Sequence, residues 1–190
     1  MTNTKDTIIK TAQQLFGRFG LNKTTVDEIA KLARIGKGTI YHYFKSKEDI
    51  FVEVIDKESQ YLKEKILQAV QQADSPKEKL RIFTLTRIRV IKELANIYYV
   101  LQSEYLLQYD FVEKARQNNF REEISIVKNI LEEGINSGIF EVEDAEATAF
   151  AMITVLKGLE YPWTIKTLHS DIEKSVDTMM RILLRGIEKR

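Results

Sequence analysis

The segment between residues 37 and 47 places hydroxyl, imidazole and ammonium groups close together, with no acidic residue among them. A helix through this segment turns Ile40 and Phe44 to one side, because they lie one turn apart. The polar groups opposite can bond to base edges, and the lysines can neutralise phosphates. The pattern predicts binding of duplex DNA, with candidate contacts at Lys37, Gly38, Thr39, Tyr41, His42, Lys45 and Lys47.

A second short helix must come before this one to position it. Thr25 and Glu28 have the spacing of a capping box, and the apolar residues after them recur on one helical face: Val26, Ile29, Ala30 and Ala33. Residues 34–36 form the turn, with Gly36 as the N-cap of the second helix. A turn of this length favours the large crossing angle of a helix-turn-helix pair. The alternative is a helical hairpin whose polar side faces only solvent.

The first quarter of the chain resembles the DNA-binding domain of TetR/AcrR-family transcriptional regulators. The matching residues are Phe16, Gly17, Phe19, Gly20, Thr24, Thr25, Val26, Ile29, Ala30, Lys37, Gly38, Thr39, Ile40, Tyr41, Phe44, Lys45, Lys47 and Glu48. The resemblance implies a palindromic operator bound by a homodimer. It also implies that Thr25 touches the DNA backbone, and that Lys47 meets a phosphate from the start of the next helix.

Two positions of the motif depart from the family pattern. Arg34 stands where a turn glycine is common, and Gly36 stands where a serine often caps the recognition helix. A left-handed backbone at Arg34 would cost on the order of 1 kcal/mol. The departures bear on local stability and base preference, and they leave the motif itself intact.

Charge is divided unevenly along the chain. The net charge is only +1, but residues 1–50 carry nine Lys/Arg against five Asp/Glu, a net of +4, and the remainder carries a net of −3. Positive charge is therefore concentrated where the motif lies. Binding through about 6–10 phosphate contacts would weaken steeply with salt.

The whole sequence reads as an all-α protein, with two prolines, eight glycines and no alternating strand pattern. Residues 1–47 form the predicted helix-turn-helix domain, and residues 48–190 the predicted helical effector-binding and dimerisation domain. Phe19 is expected to line the core side of the first helix. The predicted helices cover residues 4–19, 25–33, 37–44, 46–73, 76–94, 97–108, 111–137, 143–161 and 170–188.

The last two long helices carry the predicted dimer interface. Apolar residues of the final helix recur at four- and three-residue steps, and the helix before it is rich in alanine, which allows close approach. The alternative is that both faces are buried inside one chain. The predicted interface residues are Ala151, Val176, Met179, Leu183 and Ile187.

Aromatic residues are frequent in the middle of the chain, between Phe83 and Trp163. The family resemblance implies a pocket there for a small, mostly apolar effector that releases a repressor from its operator; activation is the alternative. Aromatic residues at helical spacing also occur as plain core. The candidate pocket residues are Phe83, Tyr98, Tyr105, Tyr109, Phe120, Phe150 and Trp163.

Other functional classes find little support in the sequence. The chain has no cysteine, only two histidines far apart and no HExxH or phosphate-loop motif, so we predict no enzyme activity, metal or cofactor. It has no bilayer-length apolar run and no signal-peptide pattern, which predicts a cytoplasmic location without membrane contact. The competing hypotheses are an all-helical enzyme and a protein-interaction module that never meets DNA.

Overall fold

The computed structural model describes residues 3–94, 96, 110–158 and 172–187. The prediction of an all-α fold is confirmed, while the predicted helix over residues 97–108 lies outside the described residues. The described helices are α1 (Thr4–Lys23), α2 (Val26–Ala33), α3 (Lys37–Tyr43), α4 (Lys47–Gln71), α5 (Pro76–Glu93), α6 (Asp110–Asn136), α7 (Ala145–Gly158) and α8 (Ile172–Ile187).

The chain divides into two compact units. The first comprises Met1–Tyr61 and Lys92–Ala115, and the second comprises Leu62–Ile91 and Arg116–Arg190. The first unit extends beyond the predicted boundary at residue 47, because four side chains from the first turns of α4 complete its core: Ile50, Phe51, Val54 and Ile55. Helix α4 therefore begins in the first unit and continues into the second.

The core of the first unit is built by α1 to α4. The rings of Phe16 on α1 and Phe51 on α4 meet edge to face, with centroids 5.2 Å apart. Phe19, expected in this core, is instead 48% exposed, and its ring lies beside the guanidinium of Arg18. The helical path breaks at Gly20, where φ is 78°, and Leu21 after the break fills the core in place of Phe19.

The second unit packs α5 to α8 around a separate core. Its buried apolar residues include Leu80, Phe83, Val127, Leu131, Ile153, Leu156 and Met180. After α6 the chain turns tightly, and the ring of Phe140 lies so close to Gly134 that a methyl group at this glycine would overlap it. The backbone N–H of Glu141 then donates to the carbonyl of Ile187, 2.8 Å away, at the end of α8. None of the described helices has both the length and the apolar character to cross a membrane.

Candidate DNA-binding surface

The start of α2 is fixed by the predicted capping box. The Thr25 hydroxyl accepts a hydrogen bond from the Glu28 backbone N–H at 3.2 Å, and the Glu28 carboxylate accepts one from the Thr25 backbone N–H at 2.8 Å. The hydrogen bonds that the carboxylate accepts, from the backbone N–H and from the hydroxyl of Thr25, lower the pKa of Glu28, because they favour the charged form. The Thr25 hydroxyl also donates to Glu28. Thr25 thus positions α2 directly, while its contact with DNA remains a prediction.

The turn between α2 and α3 uses a left-handed residue. Arg34 has φ 57° and ψ 42°, and the backbone N–H of the next residue, Ile35, donates to the carbonyl of Ala30 at 3.1 Å. From the sequence, a left-handed Arg34 costs roughly 1 kcal/mol, and the structure shows that this residue adopts that conformation. Ile35 packs against the first unit's core, which holds the turn in place.

Helix α3 separates apolar from polar side chains. Gly36 is its N-cap, as predicted, and Ile40 and Phe44 are buried. The opposite side is open to solvent at Gly38, Thr39, Tyr41, His42 and Lys45. The structure therefore brings together the residues that the sequence proposed for base and phosphate contacts. Their exposure is observed, and their contact with DNA is still a prediction.

Tyr43 is exposed on the same short helix and did not enter the predicted set. Its ring meets that of His42 edge to face, with centroids 5.1 Å apart. In the sequence, only its place next to the inward-facing Phe44 indicated that Tyr43 would be exposed. This contact limits the rotation of the His42 ring on the exposed side of α3, where the other candidate DNA contacts also lie.

The candidate lysines have different surroundings. The Lys37 ammonium lies 2.8 Å from the carboxylate of Asp27 on α2, and this hydrogen bond raises the pKa of Lys37. The Lys47 ammonium donates to the carbonyls of Leu21, at 2.7 Å, and Thr24, at 3.0 Å. Lys47 therefore ties the start of α4 to the end of α1, a role that the sequence did not suggest. Lys45 is exposed.

The three predicted pocket residues that the structure describes occupy different environments in the second unit. Phe83 is fully buried in its core, whereas Phe150 is 52% exposed and meets the partly buried Phe120 with ring centroids 5.5 Å apart. Four candidates lie outside the described residues: Tyr98, Tyr105, Tyr109 and Trp163. The structure thus joins Phe120 to Phe150 and does not bring Phe83 into that contact.

The predicted dimer residues also differ in exposure. Val176 is only 1% exposed, because α8 turns it into the core of its own chain, so in this conformation it offers no surface to a partner. Ala151 is exposed, and Met179, Leu183 and Ile187 are half-buried. Between α7 and α8 lies an open groove of about 710 Å³, lined by Val155, Lys174, Ser175, Thr178, Met179, Ile182 and Leu183. Val155 and Ile182 were missed by the sequence prediction.

Two family profiles together cover most of the chain. The profile described as bacterial regulatory proteins, tetR family, matches residues 8–54, and the profile described as YsiA-like protein, C-terminal region, matches residues 55–186. The HTH-type transcriptional regulator YhgD of Bacillus subtilis is 32% identical over 185 residues, which are 96% of each chain. The regulator QacR of Staphylococcus aureus is 26% identical over 195 residues, 98% of this chain and 100% of its own.

Solved structures agree with the sequence matches. A transcriptional regulator of Cytophaga hutchinsonii has the same fold, with a TM-score of 0.79 at 23% identity over 96% of this chain and 97% of its own. FadR of Bacillus subtilis, solved in complex with stearoyl-CoA, aligns with a TM-score of 0.75 at 26% identity over 96% of this chain and 98% of its own. The exposed helix α3 and these matches lead to one conclusion: the chain belongs to the tetR family and is a DNA-binding transcriptional regulator, not an enzyme.

Proposed function

We propose that this chain is a transcriptional repressor that places α3 in the major groove and leaves its operator when a small, mostly apolar ligand binds. The observation that carries the DNA-binding part is the division of side chains at α3: Ile40 and the C-cap residue Phe44 are buried, and the polar residues of the helix are exposed. A helix of this kind presents side chains to base edges, while neighbouring cations hold the phosphates. A regulator of chromosomal genes works in the cytoplasm, and we propose that location.

The roles on this surface follow from side-chain chemistry. Thr39, in the first turn of α3, and His42, in its last turn, offer hydrogen-bonding groups and are the proposed base readers, whereas the Tyr41 hydroxyl suits a phosphate. Gly38 lets the α3 backbone approach the DNA closely. Lys45 supplies positive charge from the short segment between α3 and α4. Thr25 caps α2 and Lys47 ties the start of α4 to the end of α1, the helices before and after α3. Their proposed contacts with the DNA backbone are additional to these roles.

We further propose that two chains pair through the groove between α7 and α8 and bind a palindrome. Ile182 is 69% exposed in the single chain, and burying such apolar side chains favours association. Ala151 on α7 and Met179, Leu183 and Ile187 on α8 complete the proposed contact. Two recognition helices about 34–36 Å apart would then read successive major grooves on one side of the DNA.

The proposed effector is small and mostly apolar. FadR of Bacillus subtilis is similar to this chain along most of its length and was solved in complex with stearoyl-CoA, so compounds with a long apolar acyl chain, as free acids and as thioesters, are the first class to test. Helix α4 continues from the DNA-binding unit into the second unit. A ligand that changes the position of α4 would change the separation of the recognition helices. Coupling of about 1–3 kcal/mol would weaken operator binding roughly 5–150-fold.

Selection of bound sequences from a random DNA pool tests the proposal. The expected product is a palindrome with half-sites one helical turn apart, which an acyl thioester releases in a gel-shift assay. His42→Ala should select an altered motif, whereas Tyr41→Ala should weaken binding to every sequence alike. The proposal fails if no sequence is enriched at low salt. An unchanged motif for His42→Ala would remove that residue from base reading.

A further inference from the structure

One acidic side chain reaches the candidate DNA-binding surface from α2. The carboxylate of Asp27, in the first turn of α2, lies 2.8 Å from the ammonium of Lys37, in the first turn of α3. The side chains are 69% and 48% exposed, so a DNA phosphate can reach both. Helix α3 has no acidic residue in its own first turn. The negative partner of Lys37 therefore comes from the neighbouring helix.

The contact is not needed to build α2. The capping box between Thr25 and Glu28 already satisfies backbone N–H groups at the start of this helix, and Ile29 and Ala30 anchor it in the core. In the described part of the chain, the Asp27 carboxylate has one hydrogen-bond donor, the Lys37 ammonium. Exposed ion pairs of this kind contribute little to folding stability. An effect on DNA binding is therefore a better physical explanation than folding stability for an acidic residue at this position.

The pair also reduces the positive charge available to DNA. Lys47 already donates to two backbone carbonyls, and Lys37 is neutralised by Asp27. Lys45 is then the candidate lysine that is exposed and has no contact of this kind among the described residues. A phosphate that binds Lys37 must displace a carboxylate, which carries the same sign of charge and accepts the same kind of hydrogen bond.

We propose that Asp27 limits the strength of DNA binding by competing with DNA phosphates for the ammonium group of Lys37. The inference rests on the proposed placement of α3 in the major groove, and it adds a residue that weakens the complex. Because binding to non-operator DNA is almost entirely electrostatic, this competition acts most directly on it. Asp27 thereby keeps the regulator from being held at sites without an operator.

The test is a double-mutant cycle with a labelled duplex of random sequence, on which base reading plays no part. Fluorescence anisotropy gives the affinities of the wild-type chain, Asp27→Asn, Lys37→Met and the double variant. Asp27→Asn should bind more tightly than the wild-type chain. One freed cation steepens the salt dependence by about 0.9, so this advantage should shrink about 3.5-fold per subunit between about 50 and 200 mM salt.

The Lys37→Met background decides between competition and direct repulsion. If Asp27 acts through Lys37, Asp27→Asn should give no gain in that background. An equal gain there would mean that the carboxylate repels DNA directly, and the inference would fail. Weaker binding by the single variant Asp27→Asn would show that Asp27 positions Lys37 for DNA, and an unchanged affinity would show no competition. Either result would also overturn it.

Two further variants serve as controls. Asp6→Asn removes the same charge from an ion pair between α1 and α4, where Asp6 contacts Lys57 at 2.6 Å; an equal gain from this variant would reduce the effect to net charge and overturn the inference. Asp27→Glu keeps the carboxylate and should bind like the wild-type chain. A wild-type chain that bound no duplex at low salt would overturn the proposed function itself. A wild-type chain that binds no more weakly than Asp27→Asn would overturn only the role of Asp27.

Discussion

The ion pair between Arg87 and Glu123 is the most enclosed charged contact described in the second unit. The Arg87 side chain is 2% exposed, and its Nε donates to the Glu123 carboxylate at 3.0 Å. Two charges removed from water are tolerated only because each offsets the other. The ion pair therefore links α5 to α6, and removing either residue would leave the other charge buried without its partner.

Arg87→Met should lower the free energy of unfolding by about 3–5 kcal/mol, because it leaves the Glu123 charge buried without this partner. Replacing both residues, as Arg87→Met with Glu123→Leu, should recover most of the loss. Urea denaturation followed by circular dichroism measures both. Lys92→Met, at an exposed position on the same helix, is the control and should change stability little. A double variant as unstable as the single one would contradict this account.

The ion pair between Arg81 and Asp177 predicts a dependence on pH. The Arg81 guanidinium, whose Nε lies 2.6 Å from the Asp177 carboxylate, holds the pKa of Asp177 below its ordinary value. The unfolded chain therefore takes up this proton first as pH falls, so the contribution is complete at neutral pH and is lost in acid. Asp177→Asn should lower the melting temperature at neutral pH, and the difference should shrink as the pH falls through the lowered pKa of Asp177. A difference that persisted unchanged in acid would exclude the ion pair as its cause.

At the scale of helices, local signals were reliable and remote contacts were not. The capping box at Thr25, the turn at Arg34 and the N-cap at Gly36 each involve residues a few positions apart, and the sequence predicted all three. Phe19 was misplaced because the helical path breaks at the next residue, Gly20, and Leu21 fills the core instead. The backbone contacts of Lys47 were missed because their acceptors lie on another element. Periodicity carries no information about such partners.

Lys47 can be tested for its structural role separately from any contact with phosphate. Lys47→Met removes two hydrogen bonds from a charged donor. Each such bond contributes up to about 3 kcal/mol to the free energy of unfolding. It should lower both the melting temperature and the affinity for DNA. Lys45→Met, two residues earlier at an exposed position, should weaken DNA binding without changing thermal stability. If Lys47→Met melts like the wild-type chain, its carbonyl contacts do not hold α4 in place.

The turn after α6 depends on Gly134, whose carbonyl accepts from the backbone N–H groups of Ile139 and Phe140 at 2.8 and 3.1 Å. Gly134→Ala should destabilise the chain by about 1–3 kcal/mol, since the added methyl group meets the Phe140 ring and the turn holds that ring there. Gly186→Ala is a matched control, because space is open at that position of α8. It should be neutral or stabilising by up to about 1 kcal/mol, as alanine favours helix. Equal effects at both glycines would refute the packing argument.

At the scale of the whole molecule, the single chain leaves apolar surface on α7 and α8 that a second copy would cover. Val155 is 48% and Ile182 69% exposed along the same groove. The sequence predicted an interface on these two helices, but the predicted set included Val176, which faces the core of its own chain. A stripe of apolar residues does not reveal which of its edges packs inside the chain. Exposure in the single chain distinguishes the buried edge at Val176 from the exposed edge at Ile182, so Ile182 is the residue to test.

Ile182→Lys should produce monomers, because it places a charge in the proposed contact without disturbing the chain's own core. Sedimentation measures the oligomeric state, and a gel shift with the selected palindrome measures the consequence. Each half-site binds weakly alone, so the affinity for the palindrome should fall. The loss should far outweigh the small gain that one added cation would give. Leu67→Lys adds the same charge at an exposed position on α4 and should leave both properties unchanged. An Ile182→Lys chain that remained dimeric would move the interface away from this groove, while the proposed roles of α3 would stand.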